Sequence, residues 1–198
     1  MSAVATAAEV EILRRHAAEY RRIADLPEMA DRRQRWFDHN GLRPQRPLVL
    51  AFPEGAWREL LPHDELECQT PLCRQWEWQM RAKIFWWERI GDDNVVEPWF
   101  DIGWVWKRGG YGVDLPQIEA DQVGSYVWDP VIEDIDAEFD KLVAEPHSVD
   151  RAETERRLAM AHEWFGDLLP ARLRGKLFWT VGMTWEASKL VGLEHLMM

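Results

Sequence analysis

The first part of the chain carries apolar side chains at helical spacing. They recur every three or four positions, as on the buried face of an α-helix: Val10, Leu13, Ala17, Tyr20 and Ala24. Pro27 suits the first turn of a second helix, and Asn40-Gly41 suits a left-handed cap at its end. The pattern therefore predicts two helices that form an N-terminal extension over residues 1–45.

After this extension, short apolar runs alternate with helical patterns. Three runs have the length and composition of buried strands: Pro47–Phe52, Asn94–Phe100 and Lys176–Val181. Pro98 lies inside the second run and predicts a bulge or an early end to pairing there.

Helix signals separate the predicted strands. Thr70 and Pro71 mark the start of a long helix that Gly91 ends, as N-cap, first-turn and C-cap residues do. Further helices are predicted over residues 133–143, from Asp150 with Glu153 three positions on, and from Thr184 as the cap of a last helix. Strands that alternate with helices predict right-handed crossovers and a parallel sheet.

The order of these elements indicates an α/β protein that resembles part of a larger architecture. A (β/α)8 barrel needs about 250 residues, whereas this chain has 198 and its first predicted strand starts only at Pro47. The final residues, GLEHLMM, form an apolar helix face without a cap. We therefore expect the N-terminal part of a (β/α)8 TIM-type barrel preceded by two helices, truncated, with the first βα units over residues 46–198.

Charge and composition narrow the choice of partners and compartment. The formal net charge is −11, which repels phosphate backbones and anionic lipid, so nucleic acid and membrane surfaces are excluded as partners. No run of about 18 apolar residues is present to span a bilayer. The only two cysteines, Cys68 and Cys73, are typical of a reduced cytosolic chain. These features predict a soluble cytoplasmic protein.

Tryptophan is the compositional outlier. The chain has 13, and seven fall between residues 76 and 106. Packing in a core is the commoner role of a single indole ring, while an aromatic wall around a flat or cationic ligand is the alternative. Metal binding by His63, Cys68 and Cys73 is not expected, since their spacing matches no zinc knuckle, and no cofactor is predicted within this chain.

Three segments, in this order and spacing, resemble the uroporphyrinogen decarboxylase superfamily. They are Arg46–Leu60, Asp92–Trp104 and Lys176–Gly192. In the second, Phe100-Asp101-Ile102 is similar to the end of the family's second strand, with Asp101 in place of the family's aspartate. In the third, Gly182, Thr184 and Gly192 match the spacing of a family segment. The superfamily includes the decarboxylase of haem biosynthesis and corrinoid-dependent methyltransferases, all of them (β/α)8 barrels.

This resemblance implies a parent enzyme that acts by decarboxylation, as a lyase, or by methyl transfer on a small or tetrapyrrole-related substrate. It also implies a corrinoid protein as partner and zinc bound in the later half of the parent barrel. Two departures exclude uroporphyrinogen itself as the substrate. Phe52–Ala56 stands where the decarboxylase has arginines that hold propionates, and Ser188 replaces a family tyrosine.

Barrel chemistry lies at the carboxyl ends of the strands, and this places the candidate residues. Asp101 is the predicted catalytic residue, a carboxylate that anchors the ligand, although an aspartate before Gly103 also suits a turn. The predicted substrate contacts are Glu54, Trp57, Arg58, Trp99, Trp104 and Thr184. Glu54 and Asp101 form a carboxylate pair for acid–base work or are two separate surface carboxylates.

One alternative of a different class stays open. A non-catalytic, tryptophan-rich α/β protein would use its aromatic face to bind a ligand or a partner chain. A complete small α/β protein with an unrelated role is a further alternative. Under the enzyme interpretation the expected partners are a small-molecule substrate and either a second copy of the chain in a homodimer or a corrinoid protein.

Overall fold

The computed structural model describes residues 5–43, 46–119, 126–175 and 182–197. Its helices are α1 (Ala7–Ala24), α2 (Pro27–Asn40), α3 (Trp57–Leu60), α4 (Pro71–Phe85), α5 (Ile135–Glu138), α6 (Arg151–Phe165), α7 (Met183–Val191) and α8 (Leu193–Met197). Its strands are β1 (Phe100–Gly103), β2 (Trp106–Lys107), β3 (Gln117–Glu119), β4 (Tyr126–Trp128), β5 (Ser148–Val149) and β6 (Ala171–Arg174). The described chain is therefore mixed α/β, with long helices and short strands.

The strands of the described residues form three separate pairs. β1 pairs with β6, β2 runs antiparallel to β5, and β3 runs antiparallel to β4. Within the described ranges these pairs form neither an extended parallel sheet nor a closed barrel. Helices of the described residues are also too short or too polar to cross a membrane.

The first two predicted strands are wrong, and the hydrogen bonds show why. No strand forms over residues 47–52. Backbone N–H groups of this segment donate hydrogen bonds to carboxylates rather than to a neighbouring strand. The backbone N–H of Val49 donates to Asp93 Oδ2 at 2.9 Å and that of Ala51 to Asp92 Oδ2 at 2.8 Å. The second predicted strand forms only from Phe100 onward, after Pro98. The third, Lys176–Val181, lies outside the described residues.

The helix predictions fare better. The two N-terminal helices and the helices after Thr70 and Asp150 are confirmed. Beyond Phe85, α4 continues as a π-helical turn over Trp86–Ile90, and Gly91 ends it with φ +67°. This left-handed backbone favours glycine, which has no Cβ.

Several predicted caps need correction. Gly41 has φ −82°, and the left-handed residue after α2 is Leu42, with φ 54°. Thr184 does not cap the last predicted helix: it lies inside α7, whose N-cap is Gly182, and α8 follows as a separate helix. The helix predicted over residues 133–143 shortens to α5 and a 3-10 turn, Phe139–Lys141.

The chain divides into two compact units. The first comprises Met1–Ile102 and Glu155–Arg174, and the second Gly103–Thr154 and Gly175–Met198. In the core of the first unit, Trp76, Phe100 and Phe165 meet edge to face, with ring centroids 5.4–5.9 Å apart. Such contacts add to the large apolar area that aromatic rings bury.

In the second unit, hydrogen bonds and ring contacts converge on α7. Tyr111 Oη donates to Glu186 Oε2 at 3.0 Å, and Lys189 Nζ donates to Glu186 Oε1 at 2.8 Å. The same ammonium lies 5.4–5.5 Å from the ring centroids of Trp128 and Trp185. Glu186 and Lys189 therefore attach α7 to the rest of this unit.

The buried carboxylate of Glu9 connects the N-termini of α1 and α4 in the first unit. It accepts hydrogen bonds from the backbone N–H groups of Thr6, Gln69 and Thr70 at 2.6–2.9 Å. The hydroxyls of Thr6 and Thr70 donate to it as well. Thr70, the predicted N-cap of α4, thus uses its side chain to hold Glu9 rather than to cap its own helix.

These donors also set the charge of Glu9. Burial alone raises the pKa of this carboxyl, but the hydrogen bonds from Thr6, Thr70 and Gln69 outweigh burial and lower the pKa to about 2. An ionised carboxylate with this many donors stabilises the fold wherever it stays charged.

We predict that Glu9→Gln lowers the free energy of unfolding at pH 7 by about 3 kcal/mol, the equivalent of lowering a carboxyl pKa by two to three units. The folded-state pKa is depressed, so this stabilisation is complete above about pH 4.5 and is lost as the pH falls towards 2. Urea unfolding measured from pH 7 to pH 2 checks this.

Glu11→Gln, on the exposed side of the same helix, is the matched control. It should unfold like the wild type at every pH. A wild-type curve that stays parallel to that of Glu9→Gln down to pH 2 would contradict the assignment.

Candidate functional site

Asp101 lies on β1, which pairs with β6 in the first unit. Side chains alternate along β1: Phe100 and Ile102 are buried, while Asp101 between them is only partly covered. In a half-buried strand, successive side chains alternate between the buried and the exposed face, and β1 follows this pattern. Two arginines on β6, Arg172 and Arg174, meet it.

The ion pairs at Asp101 use both oxygens of its carboxylate. Arg172 Nε donates to Oδ1 at 2.6 Å, and Arg174 Nη1 donates to Oδ2 at 3.0 Å. About a quarter of the Asp101 side chain is exposed, against 40% for Arg172 and 59% for Arg174. Two guanidinium groups against one carboxylate leave one excess positive charge at a solvent-accessible position.

Trp99 completes this arrangement. The Arg172 guanidinium carbon lies 4.0 Å from the centroid of the Trp99 ring, close enough for a cation–π interaction. The indole Nε1–H is buried and has no hydrogen-bond partner among the described residues. We call Trp99, Asp101, Arg172 and Arg174 the Asp101 cluster.

Tyr20 on α1 supports the cluster from the core side. Its hydroxyl donates to the carbonyl oxygen of Trp99 at 3.3 Å. Burial raises the pKa of Tyr20, and the negative charges of Asp101 and Glu97 raise it further. The phenol therefore stays protonated and holds the backbone of Trp99. Glu97 is paired with Arg33 at 2.7 Å.

Three other predicted site residues lie in a different part of the first unit. Glu54 is exposed, with φ 46°, in a 3-10 turn before α3, and Arg58 is exposed on α3. Trp57 begins α3 and packs against the aromatic residues of α4 and its π-helical turn. We call the following residues the aromatic group: Phe52, Trp57, Trp78, Phe85 and Trp86.

The predicted carboxylate pair does not form a direct contact. Both oxygens of Asp101 are taken by arginines, and within the described ranges no hydrogen bond or ion pair connects Glu54 to Asp101 or its arginines. Trp104 and Thr184 belong to the second unit. There the guanidinium of Arg151 lies 5.8 Å from the Trp104 ring, and Thr184 is exposed in the first turn of α7. Of the predicted residues, the structure brings together Trp99 and Asp101.

Arg172 and Arg174 were not among the predicted site residues. A signal was available, since the sequence Ala171-Arg172-Leu173-Arg174 alternates apolar and basic residues with the period of a strand. The predicted strand instead began a few residues later, at Lys176. Only the pairing of β6 with β1 brings these cations to Asp101, 71 and 73 positions away in the chain.

The two cysteines are buried thiols within the first unit. Burial raises the pKa of both thiols, and that of Cys73 rises to about 11. They are therefore protonated at neutral pH and pack as small apolar groups. One group of the described residues does combine ligand types suited to a metal ion: His16, Glu67 and Glu77.

Comparisons of this chain with protein-family models, with curated proteins and with solved structures gave no match.

We predict that Asp101→Asn lowers the free energy of unfolding by about 1 kcal/mol, since partly exposed ion pairs contribute up to that amount each. A double-mutant cycle with Arg172→Gln, measured by urea unfolding, should give a coupling energy of about 0.5 kcal/mol or more. Glu54→Gln, an exposed carboxylate, is the control and should be neutral. Additive effects of the two changes would show that the observed ion pair carries no energy.

Proposed function

We propose that the Asp101 cluster binds the carboxylate of a small ring-containing ligand, and that the chain is related to the uroporphyrinogen decarboxylase-like enzymes. The observation that carries this proposal is the pair of guanidinium groups held by one carboxylate beside the Trp99 ring. This pair of arginines supports the function expected from the resemblance, because it can take the role of the arginines that the family has in its first loop.

The charge balance favours an anion. Asp101 neutralises one of the two arginines, and Glu97 is already paired with Arg33. Each guanidinium has five N–H donors in a planar fork, and Asp101 accepts a hydrogen bond from one nitrogen of each. The remaining donors can form the two parallel bonds that arginine makes to a carboxylate.

The ring of the ligand has a partner as well. Trp99 holds Arg172 over its indole face and keeps an Nε1–H without an acceptor among the described residues. A buried donor of this kind costs free energy until it is satisfied. A ligand that carries oxygen atoms on an aromatic ring can accept this hydrogen bond and pack against the indole.

In this proposal Asp101 is a positioning residue. Its two hydrogen bonds fix the orientation of Arg172 and Arg174, which touch the ligand. When the carboxylate leaves as CO2, its bonding electrons remain on the ring carbon, which then takes a proton from water. When a methyl group is transferred to a nucleophilic acceptor, the bonding electrons remain on the leaving group. The excess positive charge of the two guanidinium groups favours negative charge that develops on ligand atoms beside them.

Zinc does not fit at the Asp101 cluster, because arginines occupy both carboxylate oxygens and would repel a cation. The zinc ion and the corrinoid partner that the family resemblance implies are therefore not assigned to these residues.

A second candidate function rests on the aromatic group. Phe52 is 62% exposed although its ring contacts that of Trp86. Trp57 contacts Trp78, Phe85 and Trp86, with centroids 5.6–6.0 Å away. Such a surface favours the alternative of a non-catalytic protein that binds a flat ligand or a partner chain.

We predict that pyrrole-2-carboxylate binds to the wild-type chain at least about tenfold more tightly than neutral pyrrole-2-carboxamide, because only the acid can pair with the two arginines. Isothermal titration calorimetry measures both affinities. Arg172→Gln and Arg174→Gln should each reduce the preference for the acid, whereas Arg58→Gln, an exposed arginine near Trp57, should not.

Three results separate the candidates. Equal affinity for acid and amide would contradict the proposed carboxylate site. Binding that is lost in Trp57→Ala but kept in Arg172→Gln would favour the aromatic group. Release of CO2 from the bound acid, followed by the appearance of pyrrole in NMR spectra, would identify a decarboxylase rather than a binding protein.

A further inference from the structure

We propose that His16, Glu67 and Glu77 bind a divalent transition-metal ion such as Zn²⁺. The site is distinct from the Asp101 cluster and does not depend on the proposed function.

Three elements of the first unit bring the ligands together. His16 comes from α1, Glu77 from α4, and Glu67 from the segment before α4. One ligand atom from each residue lies within 4.8 Å of the other two, and His16 Nε2 is 3.7 Å from Glu67 Oε1. One imidazole and two carboxylates are a donor set that zinc sites use, with a fourth position left for water.

The environment of the His16 imidazole also indicates a metal ligand. Its Nε2 atom is shielded from solvent and has no hydrogen-bond partner among the described residues. A buried polar atom normally has a partner, and this one faces two carboxylates. A bound metal ion would satisfy it, because a neutral imidazole nitrogen donates its lone pair to a metal.

The protonation states suit metal binding. Burial lowers the pKa of His16, and the charge of Arg15 lowers it further, so the ring is neutral at pH 7. Burial alone raises the pKa of Glu77, but the backbone N–H groups of Cys68 and Glu67 reverse this shift and keep the carboxylate ionised. A metal ion therefore displaces few protons when it binds.

Two arginines now neutralise the carboxylates and would compete with a metal ion. Arg15 pairs with Glu67 and is half exposed, so it can swing into solvent. Arg81 lies 3.3 Å from Glu77 Oε1 and also bonds to the carbonyl oxygen of Glu65 at 2.8 Å, which can hold it after a metal binds.

The geometry requires a modest closure. Bonds of 2.0–2.1 Å to a tetrahedral ion place ligand atoms about 3.3 Å apart. Glu77 is fully buried and fixed by two backbone N–H groups. The Glu67 side chain is nearly half exposed and supplies the movement. An imidazole ligand favours Zn²⁺ and Co²⁺ over Mg²⁺ and Ca²⁺.

The test uses the full chain after EDTA treatment and dialysis. Zn²⁺ binding is measured by calorimetry, and Co²⁺ is followed by its visible absorption, which reports coordination geometry. We expect one Zn²⁺ per chain, visible bands with Co²⁺, a rise in Tm of about 5–10 °C at a hundredfold excess over Kd, and no such rise with Mg²⁺.

Variants locate the ion. His16→Gln and Glu67→Gln should each weaken Zn²⁺ binding by at least about tenfold, while His39→Gln, an exposed histidine on α2, should leave the affinity unchanged. Arg15→Gln should strengthen binding several-fold, because it removes the competing cation; a purely structural role for Glu67 would not produce that gain.

Two results would overturn the proposal. One is Zn²⁺ affinity in His16→Gln and Glu67→Gln equal to that of the wild type, which would indicate adventitious surface binding only. The other is a wild-type chain without visible Co²⁺ bands and without a Tm response. Since Glu67 is half exposed, Glu67→Gln keeps the test decisive even where His16→Gln fails to fold.

Discussion

The first unit depends on two buried carboxylates that hold one short segment of backbone. Glu9 on α1 accepts hydrogen bonds from the backbone N–H groups of Gln69 and Thr70. Glu77 on α4 accepts them from the backbone N–H groups of Glu67 and Cys68. Together they satisfy four consecutive N–H groups that would otherwise be unpaired where the chain enters α4. Burying two charges costs free energy, and the hydrogen bonds from these donors offset the desolvation of both carboxylates.

This constraint also shapes both candidate sites. It sets α1 against α4, which brings His16 beside Glu77, and α1 in turn carries Tyr20, whose hydroxyl holds the backbone at Trp99. The Asp101 cluster needs one further event, the pairing of β1 with β6. Each site thus draws its residues from distant parts of the chain and relies on contacts that lie outside it.

The local sequence signals were the reliable ones. Helix periodicity and stop residues predicted α1, α2, α4 and α6, since both are local properties. The apolar run Pro47–Phe52 wrongly predicted a strand, because Asp92 and Asp93 accept hydrogen bonds from backbone N–H groups that would pair with a neighbouring strand. The predicted residues Trp99 and Asp101 do meet in one cluster, whereas Glu54, Trp57 and Arg58 lie apart from its described contacts.

The sequence by itself determined the mixed α/β class and the main helices, because helical periodicity and cap residues lie in consecutive positions of the chain. Only the tertiary structure decided what Asp101 contacts, since Arg172 and Arg174 reach it through strand pairing across some 70 residues. The same holds for His16, Glu67 and Glu77. Side-chain partners distant in sequence depend on packing, and spacing along the chain carries no information about it.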